Sequence, residues 1–196
     1  MEHPVGLLTH PHEGGGNLMT LKGIVVLVFP AMLLIQTAPA QEKYSGTKLC
    51  ASCHKGGKGG TAYTLWSASR HAKAFETLKS EGAKKIAKER GMQEAPHESA
   101  ACLECHVTGG GTASNITASF KKEEGVTCEA CHGPSSGYKM VHAKGDVEKS
   151  KAAGLIEGDT SGKSCLVCHN EKSPTYKSFN FEERWARIKH ALPESK

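Results

Sequence analysis

One five-residue pattern, Cys-x-x-Cys-His, occurs four times in this 196-residue chain and uses all eight of its cysteines. Two thiols at this spacing can form thioether bonds to the two vinyl groups of one porphyrin, and the adjacent histidine can bind the porphyrin iron. The pattern therefore predicts four covalently bound haem c groups. The predicted attachment residues are Cys50, Cys53, Cys102, Cys105, Cys128, Cys131, Cys165 and Cys168, and the predicted iron ligands beside them are His54, His106, His132 and His169.

Three other uses of paired cysteines compete with haem attachment. Eight cysteines could form two Cys₄ zinc ribbons, a Cys-x-x-Cys unit can be a thioredoxin-like redox pair, and paired cysteines in an exported protein often form disulfides. None of these explains why a histidine follows the second cysteine in every copy. Haem attachment is therefore the interpretation that the pattern favours.

The remaining histidines match the motifs in number. Beyond residue 40 the chain has eight histidines, of which four are outside the motifs: His71, His97, His142 and His190. This equality permits four irons that each bind two histidines. An iron with six ligands has no free position and transfers electrons, whereas an iron with five can also bind a small molecule such as nitric oxide or hydroxylamine.

The composition is poor in the residues that build a protein core. Aromatic residues are 6% and hydrophobic residues 38% of the chain, and the length fits one domain or two small ones. Four porphyrins would add large apolar surfaces. We expect a mainly α-helical fold with little β-structure, in which helices and long loops surround four stacked haems, and no stable fold without haem.

The positive charge has a simple interpretation. The formal net charge is +5 for the whole chain, and it becomes +6 if residues 1–40 are removed. Each haem carries two propionates, which lysines can neutralise. No basic cluster alternates with aromatic residues, so nucleic-acid binding is not predicted.

The first 40 residues predict export. Residues 19–40 contain Lys22 in a short polar start, an apolar run from Ile24 to Ile35, and Ala-Pro-Ala at 38–40, which is the pattern of a secretory signal peptide. We expect translation to start at Met19, so that residues 1–18 precede the true start, and cleavage after Ala40. The alternative is a retained membrane anchor. Residues 41–196 are then the tetrahaem domain, in a bacterial periplasm or outside the cell.

Periodicity places two of the spare histidines on helices. Residues 61–90 are predicted to be helical, with His71 on the same face as Phe75 and Leu78, either as an iron ligand or as a surface residue. A last helix is predicted over 180–192, with Asn180 as N-cap. His190 falls nearly opposite its apolar stripe, so either the helix unwinds near its end or the haem lies on another flank. A short hairpin is the expectation for residues 112–127.

Several longer segments resemble the cytochrome c-554 family of tetrahaem cytochromes, over most of residues 44–190. Besides the motifs, the resemblance rests on Trp66 with HAKAFETLK at 71–79, on 102–109, on GVTCEACHGP at 125–134 and on the closing segment up to His190. The resemblance implies a mainly helical fold with closely packed haem pairs. Known members carry electrons from hydroxylamine oxidation.

The resemblance also implies a set of iron ligands. The His54 iron would take His142 as its second ligand, the His132 iron would take His71, and the His169 iron would take His190. In the best-known pattern of the family the second haem is open, which corresponds to the iron at His106. His97 precedes that motif and could close this haem, bind a haem of a neighbouring chain, or be an ordinary loop histidine.

These observations favour an electron carrier between redox partner proteins, as a monomer or weak oligomer, with membrane contact only if the leader is retained. No acid–base or nucleophilic constellation lies outside the motifs, so no catalytic residue is predicted. The first alternative is a reductase of a nitrogen oxide at an open His106 haem. The second is a subunit of an extracellular filament that conducts electrons.

Overall fold

A computed structural model describes residues 41–190, and within this range the protein is helical, with one isolated parallel bridge between Tyr44 and Ile116. The predicted start site, signal peptide and cleavage site lie outside the described residues. The α-helices are α1 Lys48–His54, α2 Ala62–Ala68, α3 Ala74–Thr77, α4 Glu81–Glu89, α5 Ala100–His106, α6 Glu129–His132, α7 Lys139–His142, α8 Val147–Ala152 and α9 Phe181–Ile188. Short 3₁₀ helices span Gly57–Gly59, Thr108–Gly111, Ala113–Asn115, Lys122–Glu124 and Cys165–Val167. The expectation of a mainly α-helical protein is confirmed.

The longer helices begin at side-chain caps. The Ser80 hydroxyl accepts a hydrogen bond from the Ala83 backbone N–H (3.2 Å) at the start of α4, and the Asn180 amide oxygen accepts one from the Glu183 N–H (3.0 Å) at the start of α9. Such caps satisfy N–H groups that have no partner within the helix. The N-cap predicted at Asn180 is confirmed.

Residues 61–90 do not form the one helix that periodicity predicts, but the three helices α2, α3 and α4. The chain leaves α2 at Ser69, whose backbone is extended (φ −78°, ψ 166°). The next turn contains His71, whose carbonyl accepts a hydrogen bond from the Val126 N–H (3.0 Å). A tertiary contact therefore holds His71 in a turn rather than on the face of a helix.

Residues 112–127 contain 3₁₀ turns at Ala113–Asn115 and Lys122–Glu124 instead of the expected hairpin. Tyr44 pairs with this segment instead, since its N–H donates to the Asn115 carbonyl and its carbonyl accepts from the Thr117 N–H, both at 2.9 Å. The segment thus pairs with the start of the domain, and its internal hydrogen bonds form turns.

The hydrophobic core of the described chain is small. Phe75, Val107 and Phe120 are buried together, and Tyr44 and Leu103 pack against them. Large apolar side chains are exposed beside the motifs, among them Leu49 (53%), Leu166 (52%) and Val167 (63%). Within residues 41–190, no helix is both long and apolar enough to cross a membrane.

Candidate functional site

A helical turn presents the three reactive side chains of a motif on one side. The first, second and third motifs end at the last residue of α1, α5 and α6, which are His54, His106 and His132. In a helix, residues i, i+3 and i+4 lie on one face. The two cysteines and the histidine of a motif have this spacing, so they face the same space. The fourth motif achieves a similar arrangement with the 3₁₀ turn Cys165–Val167.

Backbone carbonyls fix the rings of three motif histidines. The Nδ1 atom of His54 lies 2.6 Å from the Gly59 carbonyl oxygen, and that of His106 lies 2.7 Å from the Ala74 carbonyl oxygen. The Nδ1 atom of His132 lies 2.7 Å from the carbonyl oxygen of residue 156. An Nδ1–H that donates to a carbonyl leaves Nε2 as the unprotonated nitrogen that can bind a metal.

Three of the four motif histidines, His54, His132 and His169, face a second imidazole. The ring centres are 6.0 Å apart for His54 and His142, 6.1 Å for His71 and His169, and 5.9 Å for His132 and His190. A metal-bound imidazole nitrogen lies about 2.0 Å from the ion and its ring centre about 1 Å further, so two imidazoles on opposite sides of one ion have centres about 6 Å apart. All three pairs have the spacing that one iron between them would require.

The pairing differs from what the resemblance implies in two of three cases. His54 faces His142 as expected, but His71 faces His169 and His190 faces His132. The two second histidines have thus exchanged their expected partners.

The packing of α9 explains the position of His190. A Cβ built on Gly162 would lie 2.6 Å from the Phe181 ring, so α9 packs directly on the loop 158–162. This loop follows Ile156, whose N–H donates to the His132 carbonyl (3.0 Å). The loop therefore carries the end of α9 to the third motif.

The end of α9 also explains why His190 does not lie opposite the apolar stripe of the helix. The helix ends at Ile188, and Lys189 has a non-helical ψ of 140°. His190 is therefore free of the helical periodicity that placed it opposite the apolar stripe, and the first alternative, unwinding of the helix, is correct.

His71 is positioned by the residues that precede the third motif. The Trp66 Nε1–H donates to the Val126 carbonyl (2.8 Å), and the Val126 N–H donates to the His71 carbonyl (3.0 Å). Gly125 has a φ of +68°, and a Cβ there would lie 2.6 Å from the His71 carbonyl oxygen. The turn that holds His71 thus requires the absence of a side chain at position 125.

His106 has no facing imidazole among residues 41–190. His97 lies before the same motif, but its ring packs edge-on against Phe75 with centres 6.4 Å apart, and its Nε2 is 4.0 Å from a Glu98 carboxylate oxygen. The structure does not bring His97 to His106. This arrangement agrees with the third alternative for His97, an ordinary histidine in a loop.

The residues present fit covalent haem. All eight cysteines are free thiols, and no group of three or more potential ligands among the described residues forms the cluster that a zinc ribbon needs. Burial lowers the pKa of His71, His132, His142 and His169, which favours the neutral imidazole that binds metals. The buried Nδ1 of His142 has no hydrogen-bond partner in the described chain, as expected of an imidazole built to contact another group.

Neighbouring motifs approach each other through their cysteines. Interaction with Cys50 raises the pKa of the Cys128 thiol, and burial together with the charge of Cys105 raises the pKa of the Cys168 thiol. The charge of Cys165 also raises the pKa of Cys131, after burial, the larger cause. The first motif therefore adjoins the third, the third adjoins the fourth, and the fourth adjoins the second.

Two residues of the site were not predicted from the sequence. The Phe179 ring stacks on His169 with centres 4.6 Å apart and planes inclined by 17°. Glu129 lies between the cysteines of the third motif and is buried, with 1% of its surface exposed. A glutamate on a short helix ordinarily signals solvent exposure, so nothing in the sequence marked it.

Paired thiols, each pair followed by an imidazole that keeps one nitrogen for a metal, define a c-type cytochrome. Residues 49–133 match the family described as "Cytochrome c554 and c-prime". The chain is similar to cytochrome c-554 of Nitrosomonas europaea, with 31% identity over 173 residues. The match covers 86% of this chain and 66% of that relative, just under two thirds of its length. No solved structure matches the chain significantly. The protein belongs to the cytochrome c-554 family.

Proposed function

We propose that this protein is a tetrahaem c-type cytochrome that carries electrons between redox partner proteins in the periplasm or outside the cell. The observation that carries the proposal is the set of three histidine pairs with ring centres 5.9–6.1 Å apart. Two imidazoles leave no free coordination position, which suits electron transfer rather than substrate binding. When bound, haem iron supplies one-electron oxidation and reduction.

Different residues of each motif would have different roles in binding haem. The cysteine pair of each motif would hold one porphyrin, and the motif histidine would bind its iron. His142 would be the second iron ligand at the first motif, His190 at the third and His71 at the fourth. Carbonyls such as those of Gly59 and Ala74 orient the motif histidines and fix their tautomer.

The contacts between cysteines support an order for the sites. They connect the motifs in the sequence first, third, fourth, second. A linear series of neighbouring sites provides a path through the protein, with the first and second motifs at its two ends. We propose that redox partners act at these ends.

The haem count is the direct test. Mass spectrometry of the purified, exported protein should give the mass of the chain from residue 41 plus four haems, which also locates the cleavage site. Replacing both cysteines of one motif by alanine should remove one haem and leave three. Fewer than four haems in the unsubstituted protein would overturn the proposal.

A second candidate function rests on His106. Because no imidazole faces it among residues 41–190, its iron would keep a position for a small molecule, and a nitrogen oxide reductase becomes possible chemistry for that site. Ferric electron paramagnetic resonance should then show one high-spin centre, and nitric oxide should bind to the reduced protein. The variant His97→Ala should leave both signals unchanged, because His97 packs on Phe75 instead.

A further inference from the structure

One buried carboxylate of the third motif, Glu129, is neither an attachment residue nor an iron ligand in the sites described above. Glu129 is 1% exposed. Its Oε1 accepts from the N–H groups of Ser45 (2.9 Å) and Ser135 (2.8 Å), and its Oε2 accepts from those of Ser45 (3.0 Å) and Gly46 (2.8 Å). Three backbone N–H groups therefore converge on one side chain.

These contacts specify the ionised form. Every hydrogen bond to Glu129 comes from an N–H donor, and a carboxylate, unlike a carboxylic acid, offers acceptors only. Hydrogen bonds from backbone N–H groups stabilise the charged form of a buried acid. Among the ion pairs of residues 41–190, none includes Glu129. The described chain thus holds a buried negative charge without a direct ion pair, since Lys139 donates from Nζ to the Ser45 hydroxyl (3.3 Å) rather than to the carboxylate.

This charge is shared by two haem sites. Glu129 directly follows Cys128 of the third motif, and its hydrogen bonds to Ser45 and Gly46 fix the segment that leads into α1 and Cys50. The carboxylate therefore lies between the third motif and the segment that leads into the first.

A second carboxylate supports the same region. The Oε2 of Glu124 accepts a hydrogen bond from the Thr47 N–H (2.7 Å), and its charge also acts on Cys50. Glu124 is half-buried and takes part in none of the ion pairs found in the described part of the chain. The segment that leads into the first site is therefore held by two carboxylates, Glu129 and Glu124.

We propose that Glu129 is a fixed internal anion that lowers the reduction potentials of the haems at the first and third motifs relative to those at the second and fourth. The proposal rests on the proposed function, since it assigns a role within a tetrahaem electron carrier. A ferric centre carries one positive charge more than the ferrous centre that it becomes on taking up one electron. A buried negative charge therefore stabilises the oxidised form, and the low dielectric of the interior strengthens the effect.

The test compares the holoprotein with its Glu129→Gln variant in a redox titration, with the individual centres followed by the nuclear magnetic resonance signals of their haem methyl groups. The equilibrium constant for one-electron reduction should rise about tenfold at two centres, which is about 59 mV per centre. The other two centres should change less than twofold. The control is Glu94→Gln, which removes an exposed carboxylate outside the four motifs and should leave all centres within twofold of their original values.

A purely structural role for Glu129 predicts a different result. The variant would then unfold at a lower denaturant concentration while its potentials stayed unchanged, and the proposal would be wrong. An equal shift of all four centres, or an equal shift in the control, would also overturn it.

If Glu129→Gln does not fold, the unsubstituted holoprotein provides the test, because its two lowest potentials should belong to the first and third motifs. A lowest potential at the second or fourth motif would contradict the proposal. Four haems with unchanged potentials would refute the role of Glu129 alone, whereas fewer than four haems in the unsubstituted protein would refute the proposed function.

Discussion

Replacing Gly125 by alanine should destabilise the protein through the turn that holds His71. Gly125 has a φ of +68° and a ψ of −132°, a backbone conformation that is largely restricted to glycine and costs alanine about 1–3 kcal/mol. The added Cβ would also lie 2.6 Å from the His71 carbonyl oxygen and 3.1 Å from the Ala74 nitrogen. These are backbone atoms and can move only with the whole turn, which is an overlap that costs about 1–3 kcal/mol. The free energy of unfolding should therefore fall by about 3 kcal/mol.

Gly91 offers a control that separates the two costs. Its φ is +67°, but a Cβ there would meet nothing within 4 Å. Gly91→Ala should thus lose only the conformational part, about 1–2 kcal/mol. Guanidinium unfolding of both holoproteins, followed by circular dichroism, measures the difference. Equal losses in the two variants would show that the turn at His71 does not depend on close approach to Gly125. A displaced His71 should also change the ferric spectrum of the Gly125→Ala variant alone.

Three further predictions follow from the site. His71→Ala and His190→Ala should each add one high-spin centre to the ferric spectrum. The double variant should add two, because the two histidines face different motifs. A double variant with no more high-spin signal than a single variant would contradict this pairing. Trp66→Phe should lower the free energy of unfolding by about 1 kcal/mol, because the Val126 carbonyl loses its donor; an unchanged denaturation midpoint would contradict it. Hydrogen bonds from two nearby serines hold the pKa of Asp159 below its usual range. Their stabilising effect is present above a pH of about 4 and is lost as the pH falls below it. The Asp159→Asn variant should therefore have a lower free energy of unfolding than the original protein at pH 7, and this gap should narrow in acid. A gap in the free energy of unfolding that does not change with pH would show that the charge of Asp159 contributes nothing.

The cysteine motifs were predictable because their chemistry is local. The spacing of two cysteines and a histidine over one helical turn already brings them to one side, whatever the rest of the chain does. The N-cap at Asn180 was predictable for the same reason, since it concerns residues three apart.

Partners that are distant in sequence were not predictable in the same way. Two of the three histidine pairings implied by resemblance were exchanged, because the position of His190 depends on how α9 packs against the loop 158–162. The helix expected over 61–90 was interrupted because His71 bonds to Val126, 55 positions further on. Periodicity contains no information about a hydrogen bond of that kind.

The class of protein therefore follows from local residues alone: eight cysteines, each pair with its own histidine, specify covalent haem binding through bonds that need only neighbouring residues. Packing between distant segments sets which second histidine faces which motif and places the His97 ring against Phe75. It also decided that Glu129 is buried under three N–H groups rather than exposed on a helix. Each of these depends on contacts between segments brought together by packing, and such contacts are set by the energy of the whole fold rather than by any local pattern.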